Sequence, residues 1–214
     1  GERGVSREQT RSEVRRERIL EAALAIFARR GYRDAAMDEI AAASGTSKGG
    51  VYFHFPNKQT IFLSLLDRMA ALLMTRAEAA IAAETDSLAK MDAALRVVLD
   101  TFSGHRSLAR LFLVDALGAG REFNTKMLEI HREFAGLIAR HLDEGIRRGD
   151  IAPVDTRVAG LVWFGAINEV VTDWLLDPDP PPLESYYPTL RALLRRSVGM
   201  PPEGPEGDAS WPSM

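Results

Sequence analysis

The residues best suited to chemistry cluster in one short stretch, SGTSKGGVYFHFPNK, residues 44–58. It offers two lysines (Lys48, Lys58), one histidine (His54), one phenol (Tyr52) and the adjacent pair Gly49-Gly50. A phosphate-binding loop needs G-x-x-x-x-G-K-[ST] after a strand. Here Lys48 precedes the glycines and no strand pattern flanks them, so that loop and the dinucleotide fingerprint are both excluded. Acid–base work by His54 needs a partner acid or base, and none is visible; a lone histidine among aromatics reads as structural. The four histidines, His54, His105, His131 and His141, show no H-E-x-x-H spacing. His131 and His141 lie about three helical turns apart, too far for one metal. There is no cysteine and no convincing nucleophile. No metal, no cofactor and no enzymatic activity are expected. Recognition remains: a short helix, a tight turn containing glycine, and a second helix whose first residues reach DNA bases.

The flanking sequence supplies elements that position such a motif. Helical periodicity dominates, and alternating β-branched runs are nearly absent. Ile19, Ala22, Ala23, Ile26 and Phe27 share one helical face, with Gly31 as a stop. Met37 to Ala43 fits a second helix, ended by Ser44-Gly45, with Ile40 and Ala41 facing inward. Ser47 is a good N-cap for a third helix to about Phe53, whose Val51 closes the angle between the two. Phe53 and Phe55 are expected in the core. Pro56-Asn57 breaks the chain before a long amphipathic helix with Ile61, Phe62, Leu65, Leu66, Met69, Leu72 and Leu73. Further helices are expected over about 87–103, 106–117, 121–148, 155–176 and 184–198. The helix over 155–176 is apolar on nearly all sides, which calls for burial on more than one face. The final MPPEGPEGDASWPSM reads as disordered.

Glycines 49 and 50 cost a helix roughly 1 kcal/mol each. That cost makes sense where the backbone must press against DNA with no side chain between. Lys48 would reach a guanine edge or a phosphate, and Tyr52 and His54 would offer polar tips to phosphates.

Composition is consistent with a soluble globular chain of one or two domains: 214 residues, 46% apolar and 27% charged. The net charge of −3 is unevenly spread. Residues 1–58 carry eleven Lys or Arg against eight Asp or Glu, and the remainder carries sixteen against twenty-two. Arg3, Arg7, Arg11, Arg15 and Arg16 lead into the basic part; they read equally as a DNA-directed arm or as a solvated terminus. No apolar leader is visible, and the longest uncharged apolar run, Val158 to Ile167, is about half a membrane span. A cytoplasmic protein without membrane association is expected.

The run ILEAALAIFARRGY, then MDEIAAASGTSKGGVYFHFPNK, then an apolar helix, resembles the N-terminal domain of TetR-type transcriptional regulators. The match covers about Arg16 to Leu66; beyond residue 85 only helix number and length agree. The resemblance implies an all-α fold of about nine helices. It would comprise a basic flexible arm (1–15), a three-helix helix–turn–helix DNA-binding domain (16–60), an effector-binding and dimerisation domain (61–199) and a disordered tail (200–214). DNA-contacting positions fall on Thr46, Ser47, Lys48, Gly49, Gly50, Tyr52, Phe53 and His54, and a phosphate-gripping lysine on Lys58. Two departures matter. Ala36 stands where the family usually has Thr or Ser, and Gly50 where relatives often carry a hydroxyl or a larger side chain. Both suggest fewer direct contacts and a larger share for the arginine-rich arm.

The implied function is a repressor that binds a palindromic operator as a homodimer and is released by a small, mainly apolar effector. A fatty acyl chain, an acyl-CoA or an aromatic drug would qualify. Candidate pocket walls are Leu66, Met69, Leu73, Leu99, Phe102, Phe112, Met127, Ile130, Phe134, Trp163 and Ile167, each equally readable as plain core. Asn168, His131 and His105 are candidates to orient a ligand, and Arg106 and Arg110 to hold an anionic group or simply to be solvated. The last two helices are the expected interface, with Val171, Trp174, Tyr187, Leu190 and Leu194 on it. Two other readings stay open: a DNA-binding regulator controlled by a protein partner, and an all-helical lipid-binding protein or enzyme without DNA binding.

Overall fold

The computed structural model describes the backbone of residues 2–200 and the side chains of residues 9–200. The described chain is helical: α1 (Glu2–Asp34), α2 (Met37–Ser44), α3 (Lys48–His54), α4 (Lys58–Ala82), α5 (Ser87–Gly104), α6 (Arg106–Arg110), α7 (Arg121–Arg148), α8 (Thr156–Leu176) and α9 (Tyr187–Ser197). No strand occurs among the described residues, and none of their helices is long and apolar enough to cross a membrane. The side chains of Arg3 and Arg7 and the tail from residue 201 lie outside the described residues. The arm's backbone is the start of α1 rather than a separate segment.

The helix ends follow local chemistry. Gly31 breaks α1 at φ 78°, a left-handed conformation that favours glycine. Gly45, at φ 61° and ψ 33°, ends α2 in the αL conformation of a helix C-cap. The oxygens of Asp86 and Asp155 accept from Ala89 N–H and Val158 N–H, at 3.0 and 3.1 Å, capping α5 and α8. Asn57 does this for α4, accepting from Thr60 N–H at 2.8 Å. The helix expected over 106–117 is α-helical only to Arg110. It continues as a π-helical turn, Leu111–Asp115, closed by Ala116 N–H donating to the Leu111 carbonyl at 3.0 Å.

The chain divides into two compact units, and the boundary expected at residue 60 falls inside α4. The first unit comprises, among the described residues, 2–69 and takes in 107–124. Its core holds Ile19, Leu20, Ala23, Ile26 and Phe27 of α1, Ile40 and Ala41 of α2, Val51 and Phe55, and Ile61, Phe62 and Leu65 of α4. Phe27, Tyr32, Phe62 and Phe123 form an aromatic cluster with centroids 4.8–5.8 Å apart. Aromatic pairs at such spacings add to their burial about 0.5–1.5 kcal/mol each.

The second unit comprises, among the described residues, 70–106 and 125–200. Leu95, Leu99 and Phe102 of α5, Met127, Ile130 and Phe134 of α7, Trp163, Val171 and Trp174 of α8, and Tyr187, Leu190 and Leu194 of α9 are buried there. A Cβ on Gly160 would lie 2.5 Å from the Ala135 carbonyl oxygen, so α7 and α8 meet there at backbone distance. Asp92 of α5 holds α9 through Arg191, whose Nε and Nη2 donate to its two oxygens at 2.6 and 2.5 Å.

Candidate nucleic-acid interface and effector region

The helix–turn–helix is built as the residue pattern requires. Ser47 Oγ accepts from Gly50 N–H at 3.1 Å and starts α3. Arg18 of α1 donates to the Ser44 and Gly45 carbonyls at 2.7 and 3.3 Å, closing the end of α2. Ala36 has no acceptor of its own, so α2 keeps half a capping box: Glu39 Oε2 accepts from Ala36 N–H at 3.4 Å. Glu39 also pairs with Arg30 at 2.8 Å. Val51 and Phe55, four residues apart, point into the core and fix α3 by one face.

That leaves the opposite face open. Phe53 is 80% exposed and Phe55 1%. The expectation that both are core is therefore wrong for Phe53, because Val51 of α3 and Phe55 just past its end already occupy the inward side. Tyr52, Lys48 and Gly49 are exposed as well. The two glycines separate on geometry. A Cβ on Gly50 would lie 2.7 Å from Thr46 Cγ2 and 3.1 Å from Ser47 Oγ, whereas one on Gly49 would meet nothing within 4 Å. The protein's own packing accounts for Gly50 and gives no reason for Gly49.

The Lys48 ammonium pairs with Asp38 of α2 at 3.0 Å, and that bond and charge hold its pKa above the ordinary lysine value. Burial, then the nearby Arg15 and Arg16, push His54 below its ordinary value. The Arg16 guanidinium sits over the Phe55 ring at 5.1 Å. Arg15 and Arg16 therefore adjoin α3.

Lys58 is committed elsewhere. Its ammonium donates to the carbonyls of Tyr32, Arg33 and Ala35 at 2.8, 2.8 and 3.1 Å and lies 4.8 Å from the Tyr32 ring centroid. All three donors go to the chain leaving α1, so a phosphate grip would break this arrangement. The pattern K-x-x-I-F at a helix start carried no sign of that use.

The candidate pocket residues divide between the units. Leu66, Met69 and Phe112 are buried in the first. Leu73, Leu99, Phe102, Met127, Ile130, Phe134 and Trp163 are buried in the second, where Ile167 and Asn168 are half-buried. The His131 ring lies 4.8 Å from Phe164, and burial pushes its pKa down. Trp163 Nε1 donates to Ser197 Oγ at 2.9 Å, which ties α8 to α9. The other polar candidates have structural partners. His105 Nδ1 lies 3.0 Å from the Thr101 carbonyl. Arg106 stacks on Trp174 at 4.1 Å and donates to the Trp174 and Leu175 carbonyls at the end of α8. Arg110 is exposed and faces Asp115, whose pKa is raised by burial and lowered in part by that charge.

Residues 19–65 match the family model described as bacterial regulatory proteins, tetR family, and residues 84–175 match that of a tetracyclin repressor-like C-terminal domain. The chain belongs to the TetR family of bacterial transcriptional regulators. Among TetR-family relatives, the fatty acid metabolism regulator protein of Bacillus subtilis is 28% identical over 160 residues, 74% of this chain and 82% of that protein. The regulator TtgR of Pseudomonas putida is 29% identical over 210 residues, 92% and 99% of the two chains. The transcriptional regulator FadR from Bacillus subtilis, solved in complex with stearoyl-CoA, superposes with TM-score 0.76 at 26% identity over 83% of this chain and 96% of its own. FadR from Bacillus halodurans shares the fold, with TM-score 0.80 at 24% identity over 87% and 97%. As a TetR-family member the chain is a DNA-binding regulator and not an enzyme.

The residues expected at a TetR-type dimer interface are mostly inside the protomer. Val171, Trp174, Tyr187, Leu190 and Leu194 are between 0% and 6% exposed. They have almost no surface left to bury against a partner. The exposed apolar face of α8 is a different one: Val158, Leu161 and Val162, with Leu176 at its end and Leu193 on α9. A helix apolar on all sides conceals in its sequence which side is covered.

Proposed function

We propose that the chain is a cytoplasmic repressor that binds a palindromic operator as a homodimer and is released by a long-chain acyl-CoA. The observation that carries the DNA half is the outer face of α3. It presents an exposed phenylalanine, an exposed tyrosine, a lysine and a glycine with nothing around it, a costly surface unless something covers it. DNA suits it: Lys48 for a guanine edge, Phe53 for a thymine methyl, and Tyr52, His54, Arg15 and Arg16 for phosphates.

The apolar face of α8 supports the homodimer. Val158, Leu161 and Val162 recur at helical spacing, as a self-complementary twofold contact requires. Two α3 helices would then enter successive major grooves about 34 Å apart. Acyl-CoA as effector rests on the Bacillus subtilis likeness, named for fatty acid metabolism in sequence and solved with stearoyl-CoA in structure. Release follows from differential affinity: an effector that favours the non-binding spacing by about 1–3 kcal/mol weakens operator binding 5- to 150-fold.

Selection of duplexes from a random pool by the purified chain tests the DNA half. Enrichment of an inverted repeat with half-sites centred about one helical turn, or a multiple of it, apart is expected. A pool that stays random after repeated rounds would remove operator recognition from the account, and a single unrepeated half-site would remove the dimer.

A further inference from the structure

We infer that Asp38 is a specificity-determining residue of the DNA-reading surface, acting through Lys48. The inference rests on α3 being the reading helix. Asp38 lies in the first turn of α2 and Lys48 is the first residue of α3, ten positions on, with Oδ1 and Nζ 3.0 Å apart. Both side chains are largely exposed, at 70% and 63%.

An ion pair this exposed contributes little to stability. Asp38 makes no capping bond to α2, the Ala36 N–H being bonded by Glu39, and its charge in the first turn adds only a small helix-dipole contribution. A carboxylate beside the reading helix repels every DNA backbone. Its reach to Lys48 gives it a second role there. Holding one donor of the Lys48 ammonium fixes where the remaining two point, and it cancels much of the charge that a phosphate feels. A guanine edge offers two acceptors at a fixed geometry and still gains from a directed donor. A phosphate gains chiefly from net charge, and the pair denies it that gain. Asp38 thus lowers affinity for arbitrary sequence more than for the operator.

The test is Asp38→Asn (D38N) in the full chain, alone and with Lys48→Met. Anisotropy would be recorded over a range of salt concentrations on two probes: the duplex enriched by the wild type and a scrambled duplex of the same composition. D38N is expected to bind the scrambled duplex about tenfold tighter and the enriched one less than threefold tighter, so discrimination falls. Its salt slope on scrambled DNA should steepen by about one to two, one released lysine per protomer. In the Lys48→Met background, D38N should shift both duplexes equally. An unchanged discrimination ratio in D38N, or the same loss with Lys48 absent, overturns the inference. A wild type that fails to distinguish the duplexes overturns the operator reading instead.

Discussion

Gly49 provides the sharpest perturbation of the reading surface. In Gly49→Ala, the added Cβ meets nothing within 4 Å and the backbone is already helical. Replacing helical glycine by alanine stabilises by roughly 0.5–1 kcal/mol. The variant should therefore melt about 1–4 °C higher than the wild type. DNA binding should move the other way. A methyl group needs about 3.5–4.0 Å to its neighbours, so a backbone seated against DNA is pushed off. A loss equivalent to about one base contact, roughly 1–1.5 kcal/mol per half-site, is expected. Over two half-sites this is about 2–3 kcal/mol, or roughly 30- to 150-fold weaker binding. Thermal unfolding followed by circular dichroism and operator titration by anisotropy read the two effects separately. Gly50→Ala is the contrast: its Cβ lands 2.7 Å from Thr46 Cγ2 and crowds Ser47 Oγ, so it should lose stability. Unweakened operator binding by Gly49→Ala would refute the argument that DNA approaches there. A lower melting temperature would refute the reading of open space.

Lys58→Met should destabilise by about 1.5–3 kcal/mol, read by chemical denaturation, since three charged hydrogen bonds to the Tyr32, Arg33 and Ala35 carbonyls are lost; unchanged stability with a shallower salt slope would return Lys58 to phosphate binding. His54 starts below its ordinary pKa of 6.5 in the free protein, through burial and then Arg15 and Arg16. A phosphate beside it raises that pKa, so binding takes up a proton. Operator affinity should increase as pH falls through the raised value and level off below the free one, and His54→Gln should flatten this profile in anisotropy titrations. Val162→Glu on the exposed face of α8 should leave the protomer folded yet shift sedimentation from dimer to monomer.

The sequence carried the helix boundaries well where an end is made by a local residue. Gly31, Gly45, Ser47 and Asp155 each act as their types imply. It carried Ile40 and Val51 as inward because each is a large apolar residue within its own short helix, and both are fully buried. Phe53 was misread because a seven-residue helix is too short for periodicity to separate it from Phe55. The carbonyl partners of Lys58 and Arg106 were not foreseen because they lie some twenty-five and seventy residues away, which no local pattern records. The partnership of Asp38 with Lys48 was missed because it depends on the angle between α2 and α3. Val171 and Trp174 were assigned outward because α8 is apolar on all sides, so its orientation depends on α7 and α9.

The most direct test of the central claim is titration of stearoyl-CoA into the purified chain bound to its enriched operator duplex, followed by anisotropy. Release is expected, with operator affinity lowered 5-fold or more, and a much smaller effect of free CoA at equal concentration. Unchanged operator binding at saturating stearoyl-CoA would contradict the acyl-CoA account while leaving the DNA-reading surface to stand on the Gly49 result.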